Sequence, residues 1–462
     1  MNLNKIFARP MIFSLCILLY ACEDFVEVDP PAHKLVNQQV FNNDEMAESA
    51  LQGIYNELFR IGNFSNGGAS SVTALAGLSA HQITAYDQSD LEYLEFEENE
   101  ILPNNPPNLS LWNSAYKIIY QVNALLEGME SSTQITASLQ ERIEGEARFI
   151  RAFTYFYLVN LYGEVPLALT TDYRKNARLT REPIADIYDQ VLLDLQLAVE
   201  VLPEEYRDGE RIYVNKYVAM AFLARVHIYL ENWEQAEYYS TQVINQSEIY
   251  SLLSDLDAVF LKNSTEAIWQ LSPAGRGSAT SNTNEGYLFI SSFPVFTLTD
   301  NVPENFTTND LRYIHWIGYD EEREAYYPFK YKDSNSSNNI TEYSMVLRLA
   351  EQYFIRAEAH VKSQNISGAI ADINHIRSRA SIDLINSNSN ITEEELIDLL
   401  MEERQRELFT EWGHRWFDLI RFNKASTILG ANNANWESTD IRFPIPEQER
   451  IKNPNLGQNP GY

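Results

Sequence analysis

The chain has 462 residues, of which 45 % are hydrophobic and 12 % aromatic, which excludes a disordered or fibrous chain and allows one large core or two intimately packed ones. Its 35 Lys and Arg against 65 Asp and Glu give a formal net charge of −30. Nucleic acid and anionic lipid surfaces are therefore disfavoured as partners, and polyanionic ligands would need a local basic site to override the global sign.

The chain opens on Lys5 and Arg9, followed by an apolar run at 11–19 (MIFSLCILL) with no polar face. That run is shorter than the roughly 20 residues a helix needs to cross a bilayer, so it reads as an export signal. Leu19-Tyr20-Ala21-Cys22 resembles a bacterial lipobox, which implies cleavage before Cys22 and lipidation of that residue. Residues 1–21 are then a lipoprotein signal peptide, and Cys16 leaves with it, so the mature chain has no disulfide framework. Sequons such as Asn63-Phe64-Ser65 and Asn305-Phe306-Thr307 are attributed to the abundance of Asn and Ser.

Residues 22–43, with Pro30-Pro31, read as a lipidated tether. Helical periodicity starts at Asp44 and runs through Ala47, Ala50, Leu51, Ile54, Tyr55 and Leu58. Residues 60–110 read as loops, marked by Gly67-Gly68 and Pro103-Asn104-Asn105-Pro106-Pro107. Two helices are expected within 111–163, with Gly163 as the stop, and another over 183–202 between Pro183 and Pro203.

A repeat then becomes visible: Ala224 and Ala236 stand twelve residues apart in one helical pair, as do Ala357 and Ala369 in another. Small residues at that spacing suit tetratricopeptide-type hairpins, whose helices cross closely. Residues 245–340 interrupt the repeat with β-like runs at Ala267–Leu271, Ser278–Asn284 and Tyr287–Ile290, and end in an exposed polar loop, Asp333–Asn339. A single long helix is expected over about 393–422, followed by an irregular tail.

Several stretches together resemble the SusD/RagB family of outer-membrane nutrient-binding lipoproteins of Bacteroidetes: GEARFIRAFTYFYLVNLYGEVPL (145–167), VLLDLQLAVEVLP (191–203), VAMAFLARVHIYLENWEQA (218–236), LRLAEQYFIRAEA (347–359), MEERQRELFTEWGHRWFDLIR (401–421) and FPIPEQERIKNPNLGQNPGY (443–462). The resemblance implies a mainly α fold, with tetratricopeptide-like helix pairs against a loop-rich second half carrying a few short strands. On that basis 44–462 is one domain, with an N-terminal part at 44–244 and a C-terminal part at 245–462. It further implies a lipid-anchored, surface-exposed outer-membrane protein, with Glu23-Asp24 as export determinant. Such a protein captures oligosaccharides and delivers them to a SusC-like TonB-dependent transporter in polysaccharide utilisation. A peptide-binding receptor of the RagB type is the alternative, and so is an interaction scaffold without a small ligand.

The residues themselves carry no catalytic machinery. The seven histidines show no metal-pair spacing, and there is no Gly-rich phosphate loop or nucleophile elbow. Acids such as Glu95, Glu97, Glu98 and Glu100 are too plentiful for any pair to mark a glycosidase, and Asp333–Asn339 lacks EF-hand spacing. The expectation is a non-enzyme without metal or cofactor. The charges of Glu402, Arg404, Arg406, Glu407, Arg415 and Asp418 read as a helix-packing network.

A sugar site needs flat aromatic faces with hydrogen-bonding groups at the rim. Trp112, Trp233, Trp269, Trp412 and Trp416 lie in framework segments and read as core, whereas Trp436 lies in a loop. Trp316, with Tyr313, His315 and Tyr319, falls in the loop-rich half where the family places ligand aromatics, braced by Asp310-Leu311-Arg312. Tyr86, Asp87 and Tyr93, with Asn104 and Asn105 as hydroxyl partners, are the candidates from the first excursion. The segment LSAHQI (78–83) carries His81 and Gln82 where close relatives would have Asp-Glu.

Overall fold

Asn43 starts the first helix of the described residues, α1 (Asp44–Asn56), by accepting the Met46 N–H at 2.9 Å, while Asp44 and Glu45 complement the positive helix end. The structure, a computed structural model, describes residues 41–273, 281–335, 339–386, 391–431 and 433–462, without the side chains of 60 and 61. The expected signal peptide, Cys22 and most of the tether lie outside the described residues, as do 278–280 and 336–338 of the two polar runs.

The segment expected to be looped holds α2 (Val72–Ser79), β1 (Ile83–Ala85) and α3 (Leu91–Glu97). Every residue of α2 is buried, so it has no polar face and leaves no amphipathic signature. Next come α4 (Pro106–Ser131) and α5 (Ala137–Tyr162). The first starts earlier than periodicity suggests, because Pro106 and Pro107 occupy the first turn, where no N–H is needed, and Asn105 caps the Asn108 N–H at 2.9 Å. The second ends at Gly163, whose φ of +74° provides the expected stop. A short α6 (Tyr173–Asn176) leads to α7 (Ile184–Val201), where buried Asp194 takes two hydrogen bonds of 2.8 Å from Arg151.

After the hairpin of α8 (Lys216–Tyr229) and α9 (Trp233–Ile244), the chain departs through β2 (Ala267–Leu271), α10 (Asn284–Ile290), β3 (Phe296–Leu298), α11 (Asn301–Glu304), α12 (Leu311–Trp316), β4 (Ile317–Asp320), β5 (Ala325–Pro328) and β6 (Ser344–Arg348). Tyr287–Ile290 is helical, not β-like, because Thr283 caps the Gly286 N–H at 3.1 Å. The strands pair antiparallel as β1–β3, β2–β6 and β4–β5. Thr84 lies opposite Thr297, so the first loop region is stitched to the central excursion.

The chain returns as α13 (Leu349–Lys362) and α14 (Ile366–Arg379). Ala224, Ile228 and Ala236 form one buried cluster with Ile355 and Ala359, so the two repeat hairpins stack although the excursion separates them in sequence. Burying small residues at each crossing is what lets the backbones approach.

The expected long terminal helix is broken into α15 (Glu393–Leu408) and α16 (His414–Arg421), followed by α17 (Ala425–Ile428) and α18 (Glu447–Lys452). Lys330 explains the break: its ammonium donates to the carbonyls of Glu407 and Phe409, both at 2.8 Å, instead of leaving them to helical N–H groups. Trp412 then turns into the core at 3 % exposure, and Gly413 adopts φ +69°. A Cβ on Gly413 would stand 2.7 Å from the Cβ of Ala76. Gly413→Ala is therefore expected to cost about 1–3 kcal/mol in urea unfolding, and a loss below about 0.5 kcal/mol would contradict this packing.

Candidate ligand-binding site

The aromatic residues of the excursion separate into two environments. Trp316 is 0 % exposed, and its indole N–H donates to the Leu256 carbonyl at 3.0 Å. The Lys330 ammonium lies 4.9 Å from its ring centroid, with the guanidinium carbons of Arg348 and Arg379 at 5.8 and 5.7 Å. The expected role of Trp316 as a sugar platform is thus corrected: its faces serve buried cations. Arg312 pulls it down, pairing with Asp310 at 2.7 Å and reaching Glu403 and Glu407 of α15 at 3.1 and 3.3 Å.

Tyr319 is 49 % exposed on the β4–β5 hairpin, and its ring stands 4.7 Å from that of Tyr326 across the register. Tyr313 lies partly buried behind them, and burial together with the neighbouring Tyr326 hydroxyl pushes its phenol pKa up. Tyr86, also largely exposed, continues the chain after β1; its ring centroid is 6.0 Å from the Arg323 guanidinium. Arg323 pairs with Asp320 and donates to the Ser292 carbonyl at 2.7 Å. The hairpin arginine thus bridges Tyr86 to the Tyr319 surface.

The remaining candidates fall elsewhere. Asn105 is buried; beyond its capping bond, its amide donates to the Glu92 carbonyl at 2.9 Å and to Glu95 at 2.8 Å, which corrects it from hydroxyl partner to helix cap. Tyr93 packs edge-on against Phe296 at 5.0 Å, beneath the surface. Asp87 closes its own turn, accepting from the Ser89 hydroxyl at 2.6 Å and N–H at 2.9 Å, which lowers its pKa. Asn104 is exposed, and like Asp87 it lines neither of the following clefts. Trp436 is partly buried, its indole N–H donating to Ser426 at 3.2 Å.

Two clefts flank the seam where β5 lies against β3, and Thr297 and Ala325 line both. One, of about 250 Å³, is walled by Phe289, Asp320, Arg323, Tyr327 and Lys332. The other, of about 540 Å³, is open and walled by His81, Glu97, Glu98, Asp300, Asn301 and Tyr326. His81 takes φ +52° with its Nε2 2.8 Å from the Glu97 carbonyl, and burial lowers its pKa, so the ring is neutral near pH 7. Beside His81, the carboxylates of Glu97 and Glu98 line this cleft. Burial raises the pKa of Glu97, which accepts from the Ala85 N–H at 2.5 Å and the Thr84 hydroxyl at 2.8 Å.

This surface offers exposed ring faces beside carboxylate, amide and hydroxyl groups, a combination that stacks against and hydrogen-bonds a polyhydroxylated ring. Sequence reading missed Tyr326, Tyr327, Arg323 and Asn301. The Tyr326-Tyr327 doublet was the available signal, since alternation on a strand sends neighbouring rings to opposite sides and here into different clefts. Among the described residues, no three His, Cys, Asp or Glu side chains are grouped to hold a metal ion, and no helix is long and apolar enough to cross a membrane.

Stacked helical hairpins presenting aromatic-edged clefts on their loop side define a helical-repeat binding scaffold. Residues 24–230 match a family described as starch-binding and associating with the outer membrane, and 299–462 match the SusD family. The chain belongs to the SusD/RagB family, an outer-membrane-associated family of glycan-binding proteins. SusD-like protein P38 of Formosa agariphila is 25 % identical over 96 % of each chain. The fold matches a SusD superfamily protein from Bacteroides vulgatus with TM-score 0.80 and 20 % identity, over 91 % of this chain and 100 % of that one. A laminarin-binding SusD-like protein matches with TM-score 0.76 and 22 % identity, over 91 % and 100 %.

Proposed function

We propose that this protein captures neutral oligosaccharides at the bacterial surface and passes them to a SusC-like TonB-dependent transporter, held to the outer membrane by lipid on Cys22. The observation that carries the binding role is the Tyr319–Tyr326 pair at 4.7 Å, with Tyr319 exposed to solvent and Tyr326 half-buried on the wall of the larger cleft. Neutral ligands are favoured because Arg323 and Lys332, the cations of the smaller cleft, are already paired with Asp320 and Asp257. Family membership supports a binding role over hydrolysis, so an oligosaccharide incubated with the protein is expected to remain intact by chromatography.

Calorimetry with maltohexaose, laminarihexaose and cellohexaose, alongside mixed peptides, tests this reading. The double variant Tyr319→Ala/Tyr326→Ala is expected to weaken saccharide binding by about 1.5–3 kcal/mol, some tenfold to a hundredfold. Undiminished affinity in that variant would move the site elsewhere, and heat with peptides alone would replace glycan capture by peptide capture. Transporter delivery is tested by recovering the protein from outer-membrane extracts; no β-barrel transporter among the co-purifying proteins would count against it.

A further inference from the structure

On the face of α4 away from the excursion, Trp112, Tyr116 and Tyr120 follow one another at four-residue intervals, which stacks them along one side of the helix. The chain after α5, the short α6 and the C-terminal α18 close over this row and enclose a groove of about 400 Å³ that shares no lining residue with either cleft. Trp112 forms the floor at 2 % exposure, while Tyr120 and Tyr173 stand at the mouth at 54 % and 77 %.

The walls are fixed in place. Glu127 accepts from the Thr170 hydroxyl at 2.7 Å and the Thr171 N–H at 2.9 Å, the Tyr116 hydroxyl donates to the Pro166 carbonyl at 2.8 Å, and the Asn453 amide donates to the Leu179 carbonyl at 2.8 Å. The groove is therefore preorganised for a ligand. Its two charged lining residues, Glu449 and Lys452, are paired at 2.7 Å, so it is locally neutral in a strongly acidic chain. One group is unspent: the Asn176 amide donates to the Thr170 carbonyl at 2.7 Å, but its Oδ1 is buried without a hydrogen-bond partner.

We propose that this groove is a second saccharide site, taking one neutral pyranose unit against Tyr120 and Tyr173 with a ligand hydroxyl donating to Asn176 Oδ1. A wholly apolar occupant would leave that acceptor unsatisfied, and a charged one would find no counter-ion that is not already paired. A ring with an apolar C–H face and hydroxyl donors meets both demands. Two separate sites on one chain would hold a long polysaccharide at two points and slow its escape. The inference rests on the glycan-binding reading given above.

Native mass spectrometry and calorimetry on the chain from Glu23 to Tyr462, saturated with each of the three hexasaccharides, test it. Two saccharides per chain are expected. Tyr120→Ala/Tyr173→Ala, made at exposed positions, should remove one of them while Tyr319→Ala/Tyr326→Ala removes the other; Asn176→Leu should weaken the groove site at least fivefold while leaving the hairpin site at its wild-type affinity. A stoichiometry of one that survives the groove variants and falls with the hairpin variant would overturn the second site and leave glycan capture standing. No saccharide bound at all would overturn both.

Discussion

Glu407→Gln is expected to lower the unfolding free energy by about 3–5 kcal/mol, because it removes one partner from a buried cluster of charges. Glu407 is 0 % exposed and pairs with Arg348 at 2.6 Å, with Arg312 at 3.3 Å and with Arg379. Around it Arg348 also pairs with Glu266 at 3.0 Å and Glu411 at 2.8 Å, and Lys330 with Glu411 at 2.5 Å. The cluster ties α12, β6, α14 and α15 to Glu266, the residue before β2, so the excursion and the helical repeats share it. Neutralising Glu407 leaves three guanidinium groups with fewer carboxylates in a medium that solvates charge poorly.

Acid should mimic the substitution. Burial alone would raise the Glu407 carboxyl, but Arg379, Arg348 and Arg312 outweigh it and hold the group well below the usual carboxylate range. Glu411 is lowered too, with Arg348 and Lys330 outweighing its burial. A carboxyl with a depressed folded-state pKa contributes fully above its unfolded value of about 4.3 and loses that contribution as pH falls toward the folded value. The stability difference between wild type and Glu407→Gln should therefore be largest near neutrality and shrink below about pH 4. Lys330 acts in the same sense at higher pH: burial lowers it to about 8, so stability again rises between pH 8 and its unfolded value of about 10.4. Urea titrations from about pH 3 to about pH 11 cover all three groups; a difference between wild type and Glu407→Gln that stays constant down to the acid end would mean that Glu407 is not ionised in the fold.

What the sequence disclosed follows from which signals are local. The repeat was legible because Ala224, Ala236, Ala357 and Ala369 mark helix crossings at fixed spacing, and all four are fully buried. The reading of Glu407 and its neighbours as a packing network rested on helical spacing of charges, which geometry then supplied with partners. Helix α2 escaped detection because amphipathicity needs a polar face and this helix has none. The break at Phe409–Gly413 also escaped, since the groups that take the terminal carbonyls are on Lys330, distant in the chain. Trp316 and Tyr319 stand three residues apart in one motif, yet Trp316 is fully buried and Tyr319 is half exposed. Binding surfaces are harder to read than cores for this reason: an aromatic ring in a loop carries no mark of the side it faces.

Trp316→Ala is expected to cost about 3–5 kcal/mol of stability while leaving the saccharide affinity of the folded protein within about twofold of wild type. The loss has two sources. Removing a fully buried indole opens a cavity that the surrounding helices fill only partly, and it also leaves the Leu256 carbonyl without its donor. Lys330, Arg348 and Arg379 lose an aromatic face at the same time, in a place where water cannot replace it. Trp316→Phe keeps the ring face but not the N–H, so it should recover a large part of the loss, and the remainder measures the hydrogen bond. Unfolding curves paired with calorimetry on the folded protein separate the outcomes. Full stability with abolished binding would place Trp316 in contact with ligand and contradict its burial, whereas lost stability with retained binding keeps Trp316 a core residue outside the ligand surface.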